Sequence, residues 1–405
     1  MEYEQNLLFT PEGVRDIYGV ECEKREWVEA EIHKIMKLYG FQDILTPTFE
    51  FFDIFNQERG TVESKEMFKF FDQYNNTLAL RPDITPSIAR CVAKYYSEEE
   101  MPIRLSYAGN TFIHRRGYQG KLSEIAQIGA ELMNDSSSDA DAEMIAMTVE
   151  CLAKSGLKEF KIDVGHAGFI RGLMEESGFS AGEIQEYKRL IANKNSFGVQ
   201  EMIERKDLSS RLKELLIQLP DLFGAEETLA YARERVNHLG ALEALQRLET
   251  VQEILGIYGL EGSVTFDLGM LSHYDYYTGI IFKAYTYGTG EAIVTGGRYD
   301  RLIEQFGKKS PAVGLAIVLD QLMNALASQQ AEIPTETDGI LILYRSASRK
   351  EALHLGNRYR NDGRRVMLMR REAEKELEVY CSYASENRIS SIVYVEDGQT
   401  KTIDL

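Results

Sequence analysis

Cysteine is scarce in this chain. There are four in 405 residues (Cys22, Cys91, Cys151, Cys381), far apart and with no C-x-x-C pair. That spacing offers neither a zinc knuckle nor a redox dithiol and fits a reducing, cytoplasmic compartment. Long apolar runs are also missing. None approaches the roughly 20 residues of a membrane span, so no membrane partner is expected. The first residues, MEYEQNLLFTPEG, hold no basic leader and no long apolar stretch, which argues against a secretory signal. Positive charge is in deficit, with 46 Lys and Arg against 64 Asp and Glu and a formal charge of −18. Proteins that track a polyphosphate backbone usually carry basic patches. The balance weighs against a nucleic-acid partner and speaks mainly for solubility. What remains is an ordinary globular composition, long enough for two or three domains and a sizeable core.

The richest stretch is Met270 to Asp300, MLSHYDYYTGIIFKAYTYGTGEAIVTGGRYD. It reads as two strands, about Gly279–Tyr285 and Glu291–Thr295, joined by a turn containing Gly288 and Gly290. Asp275-Tyr276-Tyr277-Thr278 flanks one side and Gly296-Gly297-Arg298-Tyr299-Asp300 the other. A hairpin carries both flanks towards one end of a sheet, beside a glycine pair that admits a ligand close to the backbone. Two carboxylates, three tyrosines and a guanidinium would meet there.

Upstream, Phe9–Ile17 is a turn-rich entry. A helix from about Val20 to Tyr39 follows, with Val28, Ile32, Ile35, Met36 and Tyr39 as its stripe and Gly40 as its stop. Phe41–Phe52 reads as a strand interrupted by Pro47. Met67–Phe71 and Thr77–Leu80 form a hairpin. Leu80-Arg81-Pro82-Asp83-Ile84-Thr85-Pro86 opens a helix to about Tyr96, and Asp83 or Thr85 also suits an N-cap there. Ile103–Met133 reads strand, basic loop, strand. The loop holds His114, Arg115, Arg116 and Lys121 around Gly117 and Gly120, which suits a phosphate or a solvated tip. Alternation puts Gln127 and Glu131 on one face of the second strand. Two such side chains facing a core need polar partners. Asp139, Asp141 and Glu143 sit at a helix start, where acids favour the macrodipole, so they read as caps. His166 after the strand Phe160–Val164 reads as structural. Residues 170–257 are a helical insertion. Pro311–Leu326 is a strand passing into a helix, and Ala327–Asp338 is a polar linker. Beyond it, Gly339–Tyr344, Arg365–Met369 and Ser391–Val395 alternate with helices at about Arg349–Arg360 and Glu372–Asn387, a βαβαβ unit.

DYYTGIIF followed by VTGGRYDRL, together with LRPDITPSIAR, resembles histidyl-tRNA synthetase and its paralogues over nearly the whole chain. The resemblance implies an α+β fold: a class II synthetase-like, mostly antiparallel sheet flanked by helices over 1–328, with the insertion, and a shortened anticodon-binding-like domain over 339–405. It also implies that the helix, strand and proline of Val20–Phe52 make a homodimer interface. Positions matching the histidine pocket are kept: Asp83, Thr85, Gln127, Glu131, Tyr276, Tyr277 and Tyr299. The chemistry of these residue types agrees. Asp83 and Thr85 suit an ammonium, while Glu131 and a tyrosine hydroxyl suit the two imidazole nitrogens. Arg115, Arg116 and Arg298 are the candidates for contacts to a phosphate or carboxylate.

Positions matching the ATP machinery are lost. The family's second motif begins Phe-Arg, where this chain has Phe112-Ile113. Its histidine motif reads R-G-L-D-Y-Y, where this chain has Ser272-His273-Tyr274-Asp275-Tyr276-Tyr277. Its third motif carries a glycine and an arginine, where this chain has Val318 and Gln321. Preplaced cations at such sites are worth roughly 10²–10³ in rate each. The pattern resembles the regulatory subunits of ATP phosphoribosyltransferase, the synthetase paralogues of the first step of histidine biosynthesis. That resemblance implies a non-catalytic subunit, required for the activity of a short catalytic subunit in a hetero-octamer and for feedback inhibition by L-histidine. No catalytic residue, cofactor or metal is implied. The alternative is an active histidyl-tRNA synthetase, from which Ile113, Ser272 and Gln321 discriminate. Members of the regulatory family commonly end near the linker, so the C-terminal domain reads as a departure.

Overall fold

The structure is a computed structural model that describes residues 8–55, 62–114, 122–271, 276–396 and 399–405. The chain forms two units, Met1–Ile333 and Pro334–Leu405.

The larger unit begins with α1 (Gly19–Leu38), whose buried stripe is Val28, Ile32, Ile35 and Met36. Each such side chain contributes about 1.5–3 kcal/mol by leaving water. Gly40 ends the helix at φ +83°, a backbone conformation that favours glycine. The segment around Pro47 is two short strands in different sheets, β1 (Gln42–Asp43) and β2 (Phe49–Phe51), because proline ends ladder pairing between them. A hairpin of β3 (Lys69–Phe71) and β4 (Thr77–Leu80) adds to β2 in the order β2-β4-β3. Then come α2 (Thr85–Tyr95), β5 (Ile103–Phe112), β6 (Glu124–Met133), α3 (Ser138–Lys154) and β7 (Lys161–His166). The insertion contains α4 (Ala167–Ser177), α5 (Ala181–Ala192), α6 (Ser196–Glu204), α7 (Ser210–Gln218), the short β8 (Phe223–Gly224), α8 (Glu226–Arg233) and α9 (Leu239–Ile257). β9 (Val264–Asp267), β10 (Ile280–Tyr285), β11 (Val294–Arg298), β12 (Ala312–Val318) and α10 (Leu319–Ser328) complete the unit.

Nine strands form one sheet in the order β1-β5-β6-β12-β11-β10-β7-β9-β8. Its ladders are antiparallel except β1–β5 and β7–β9. One face, here the back, packs on α1, α3, α4, α9 and α10 around Ile128, Leu132, Phe282, Val313 and Leu315. The front carries α2 and a smaller core of Ile84, Ile88, Leu105, Tyr107 and Tyr299. Two expectations change here. The insertion is not purely helical, since β8 pairs with β9 at the sheet edge. The second hairpin strand is β11, which starts later and runs through Gly296 and Gly297 to Arg298. Both of its edges are paired there, to β10 and to β12.

The smaller unit has β13 (Gly339–Tyr344), α11 (Arg349–Asn361), β14 (Val366–Arg370), α12 (Leu377–Glu386), β15 (Ile389–Glu396) and β16 (Gln399–Asp404). Its sheet order is β14-β13-β15-β16, parallel apart from the last ladder. β16 has no counterpart in the βαβαβ reading. It is an edge strand, almost all exposed, so it shows no apolar alternation. No helix among the described residues is long and apolar enough to cross a membrane.

Candidate functional site

The front face of the large sheet holds a buried polar pocket lined by Asp83, Thr85, Gln127, Glu131, Tyr276, Tyr277, Thr295, Tyr299 and Gly314, with Leu315 and Ala316 beside it. Period-two alternation places Gln127, Gly129 and Glu131 of β6 forward, with Thr295 and Gly297 of β11 and Gly314 of β12. Glycine makes the floor. A Cβ at Gly314 would lie 1.7 Å from Glu131 Oε2, and one at Gly297 would lie 2.9 Å from the Tyr277 ring. With glycine at both positions, a long acidic side chain and an aromatic ring can lie flat across the neighbouring strands.

Glu131 is 1% exposed. The Thr85 hydroxyl donates to its Oε1 at 2.8 Å and the Tyr299 hydroxyl donates to its Oε2. Asp83 is 7% exposed. Its Oδ1 accepts from the Thr85 backbone N–H at 3.2 Å, and its Oδ2 accepts from the Tyr276 hydroxyl at 3.3 Å. Asp83 therefore serves the α2 start through its side chain while facing the pocket. Tyr276 packs edge-on against both Tyr277 and Tyr299, with ring centroids 5.0 and 5.8 Å apart. Gln127 Oε1 is buried with no hydrogen-bond partner among the described residues.

No cation is among these described lining residues, and the carboxyls respond to that. Burial pushes Glu131 up to about 8, held back by its bonds from Tyr299 and Thr85 and pushed further by Asp83. Burial also raises Asp83, against the backbone N–H groups of Thr85 and Ile84. The space left between the side chains is about 20 Å³, room for one water molecule. The pocket is thus narrow among the described residues, acid-lined and partly protonated at neutral pH. It can accept hydrogen bonds and satisfy a cation.

The structure brings the seven residues Asp83, Thr85, Gln127, Glu131, Tyr276, Tyr277 and Tyr299 together. It does not bring Arg298 there. Arg298 and Tyr299 are neighbours at the end of β11 and point to opposite faces. Arg298 is 4% exposed on the back, bonded to Asp141 and Asp300, so the expected carboxylate contact is corrected. Asp141 is corrected too. Ser137 caps α3, and Asp141 is a buried partner of Arg298 and Arg247. His166 caps α4, accepting from the Gly168 N–H. Arg115, Arg116, Lys121 and Ser272 lie outside the described residues. Sequence reasoning missed Thr295 and Gly314, although Thr295-x-Gly297 and Gly314-x-Ala316 alternate as small front-facing positions.

Against known proteins, the family model for histidyl-tRNA synthetase matches residues 13–322. The ATP phosphoribosyltransferase regulatory subunit of Ruminiclostridium cellulolyticum is 37% identical over 396 residues, covering 98% of this chain and 94% of the relative. A crystal structure from Bacillus halodurans described as an ATP phosphoribosyltransferase regulatory subunit/histidyl-tRNA synthetase superposes with a TM-score of 0.86 at 30% identity, over 96% of this chain and 98% of that one. Histidyl-tRNA synthetase from Nostoc shares the fold, with a TM-score of 0.79 at 18% identity over 98% of this chain and 96% of that one. The C-terminal unit is therefore no departure, because the similarity to these relatives extends through it.

Proposed function

Because the chain belongs to the ATP phosphoribosyltransferase regulatory subunits of the histidyl-tRNA synthetase family, we propose that its front pocket takes free L-histidine and that occupancy inhibits a separate catalytic subunit. The observation that carries this is the pair of buried carboxyls, Asp83 and Glu131, with no cation among the described residues around them. Buried acids in that state are costly unless donors or a cation arrive. Asp83 takes the ammonium. Glu131, which holds its own proton near neutrality, shares it with the imidazole, and Gln127 Oε1 accepts a further N–H. An amino acid does not fit in 20 Å³. Entry requires the Tyr276–Tyr277 rings to swing away from Tyr299, so the pocket has an open and a closed state with different affinity for the ligand.

The subunit is non-catalytic. At the positions where the synthetases carry the cations that hold a triphosphate, the sequence has Ile113, Ser272, Val318 and Gln321. It assembles in the cytoplasm as a homodimer core that binds short catalytic subunits in a hetero-octamer. The small sheet supports the dimer: Phe49, Phe51 and Phe70 are exposed on one face of it, Leu45 beside it is 89% exposed, and Phe49 packs edge-on against Phe70. An exposed apolar row of this kind marks an interface, and isologous pairing is its usual closure. The test is the reconstituted complex. Phosphoribosyl transfer should require this chain and fall on adding L-histidine. Transfer unaffected by L-histidine, with wild-type chain present, overturns the reading.

A further inference from the structure

Tyr299 reaches Glu131 from a position with almost no freedom. Its N–H donates to Ala312 O at 2.7 Å. The next N–H, of Asp300, donates to Thr278 Oγ1 at 3.1 Å, and Asp300 Oδ1 accepts from Ala312 N at 3.1 Å. Its other neighbour, Arg298, is locked on the opposite face. Arg298 Nε donates to Asp141 Oδ1 at 2.8 Å, and its Nη1 donates to Asp135 O at 2.9 Å and to Asp300 Oδ1 at 3.2 Å. Asp141 is fully buried and its second oxygen is taken by Arg247 of α9, Nε to Oδ2 at 2.8 Å. Arg247 Nη2 also donates to the carbonyls of Ser136 and Ser137 at 2.8 and 2.6 Å. One buried carboxylate thus joins three elements: the strand that presents Tyr299 to the pocket, the start of α3, and a helix of the insertion.

We propose that Asp141 is a positioning residue that couples the ligand state of the front pocket to the helical insertion, acting through Arg298 on one side and Arg247 on the other. This rests on the reading of the pocket as an L-histidine site. Opening the pocket changes the Tyr299–Glu131 bond. The backbone around Tyr299 cannot shift without carrying Arg298, because the Arg298–Asp300 bond clamps the residues on either side of it and five further hydrogen bonds tie residues 298–300 to Ala312, Thr278, Asp135 and Asp141. A buried, fully bonded pair does not slide. It moves with its partners or breaks, so the displacement passes to Asp141, then to Arg247 and the middle turns of α9.

The test is hydrogen–deuterium exchange on the full chain with and without L-histidine, in wild type, Arg247→Met and Arg247→Lys. Arg247 lies outside the pocket, so calorimetric affinity for L-histidine should stay within about threefold, well below a typical coupling factor of about 5–150. In wild type, L-histidine should slow exchange in β6, in α2 and in the middle of α9 around Arg247. In Arg247→Met the β6 and α2 response should remain and the α9 response should vanish, with Arg247→Lys recovering part of it. A purely structural role would instead speed α9 exchange equally with and without ligand. An α9 response that persists in Arg247→Met, or one absent from wild type while β6 responds, overturns the coupling alone. Neither heat nor β6 protection in wild type overturns the L-histidine reading and the coupling with it.

Discussion

Replacing Glu131 by Gln should remove the Glu131 part of the pocket's pH dependence without loosening the fold. The folded-state pKa of Glu131 is pushed up to about 8 from an ordinary 4.5, with burial the leading cause. A raised carboxyl contributes stability that is complete below about 4.5 and is lost as pH rises through about 8. The two limits differ by roughly 5 kcal/mol, and about 4 kcal/mol of that falls between pH 5 and pH 9. Glutamine keeps the shape and the neutral charge, so the variant loses this slope. The unfolding entropy is roughly 2.1 cal/mol/K per residue, so the unit Met1–Ile333 unfolds with about 0.7 kcal/mol/K, and 4 kcal/mol corresponds to about 6 °C. Calorimetric melting of ligand-free protein from pH 5 to pH 9 is the assay. The wild-type transition should drop by about 6 °C relative to Glu131→Gln, leaving the variant the more stable protein at pH 9. Asp83, also raised by burial, keeps a residual slope of the same sign in both. Parallel melting profiles across that range would refute the reasoning, because Glu131 would then ionise no differently folded and unfolded.

Other outcomes follow from the same geometry. Asp83→Asn removes a charged acceptor for the ligand ammonium, about 1.5–3 kcal/mol, so calorimetry should show L-histidine binding weakened about 10- to 100-fold; equal affinity would move the ammonium elsewhere. Histidine-dependent ATP–pyrophosphate exchange by the isolated chain should stay at background, and clear exchange abolished by Asp83→Asn would restore a synthetase role. Phe51→Asp with Phe70→Asp should convert the dimer to a folded monomer in light scattering; an unchanged mass places the interface on another surface. Arg298→Met, which strands half of Asp141 without a partner, should cost about 3–5 kcal/mol in denaturant unfolding, and a change below about 1 kcal/mol would show that the buried pair holds nothing in place.

What could be read in the sequence was whatever local pattern decides. The α1 stripe and its glycine stop are periodic, and the β10–β11 hairpin carries turn glycines, so both stand near their expected places. Strand ends depended on pairing. Gly296-Gly297 looks like a loop in isolation but is held in β11 by strands on both sides. Asp141 was the hardest to read. In Asp139-Ala140-Asp141-Ala142-Glu143 any of the three acids suits a helix start, and what turns Asp141 inward is two arginines 106 and 157 residues further along. Arg298, a candidate for a carboxylate contact, directly precedes Tyr299 of the pocket. Strict alternation forbids both from facing one ligand, and that signal was present in the sequence.

The narrow pocket and the replaced motif residues bear on the proposed sensor reading in the same way. A catalytic site gains by holding its charges ready before substrate arrives, since preorganisation lowers the barrier. A sensor gains from the reverse arrangement, in which the empty state is self-satisfied and the ligand must displace internal bonds. Here Glu131 is bonded to Thr85 and Tyr299, Asp83 to Tyr276, and the tyrosines fill the space. Affinity is reduced by the free energy of opening, and that same term sets how far binding can shift the equilibrium between states. A ligand moves such an equilibrium from 1:99 to 99:1 only if its affinities for the two states differ by roughly 10⁴-fold. Under the L-histidine reading proposed above, a pocket with almost no room for the ligand between its side chains meets that condition by exclusion. The open state needs no unusual affinity, and the arginines a synthetase uses to hold an adenylate would serve no purpose in it.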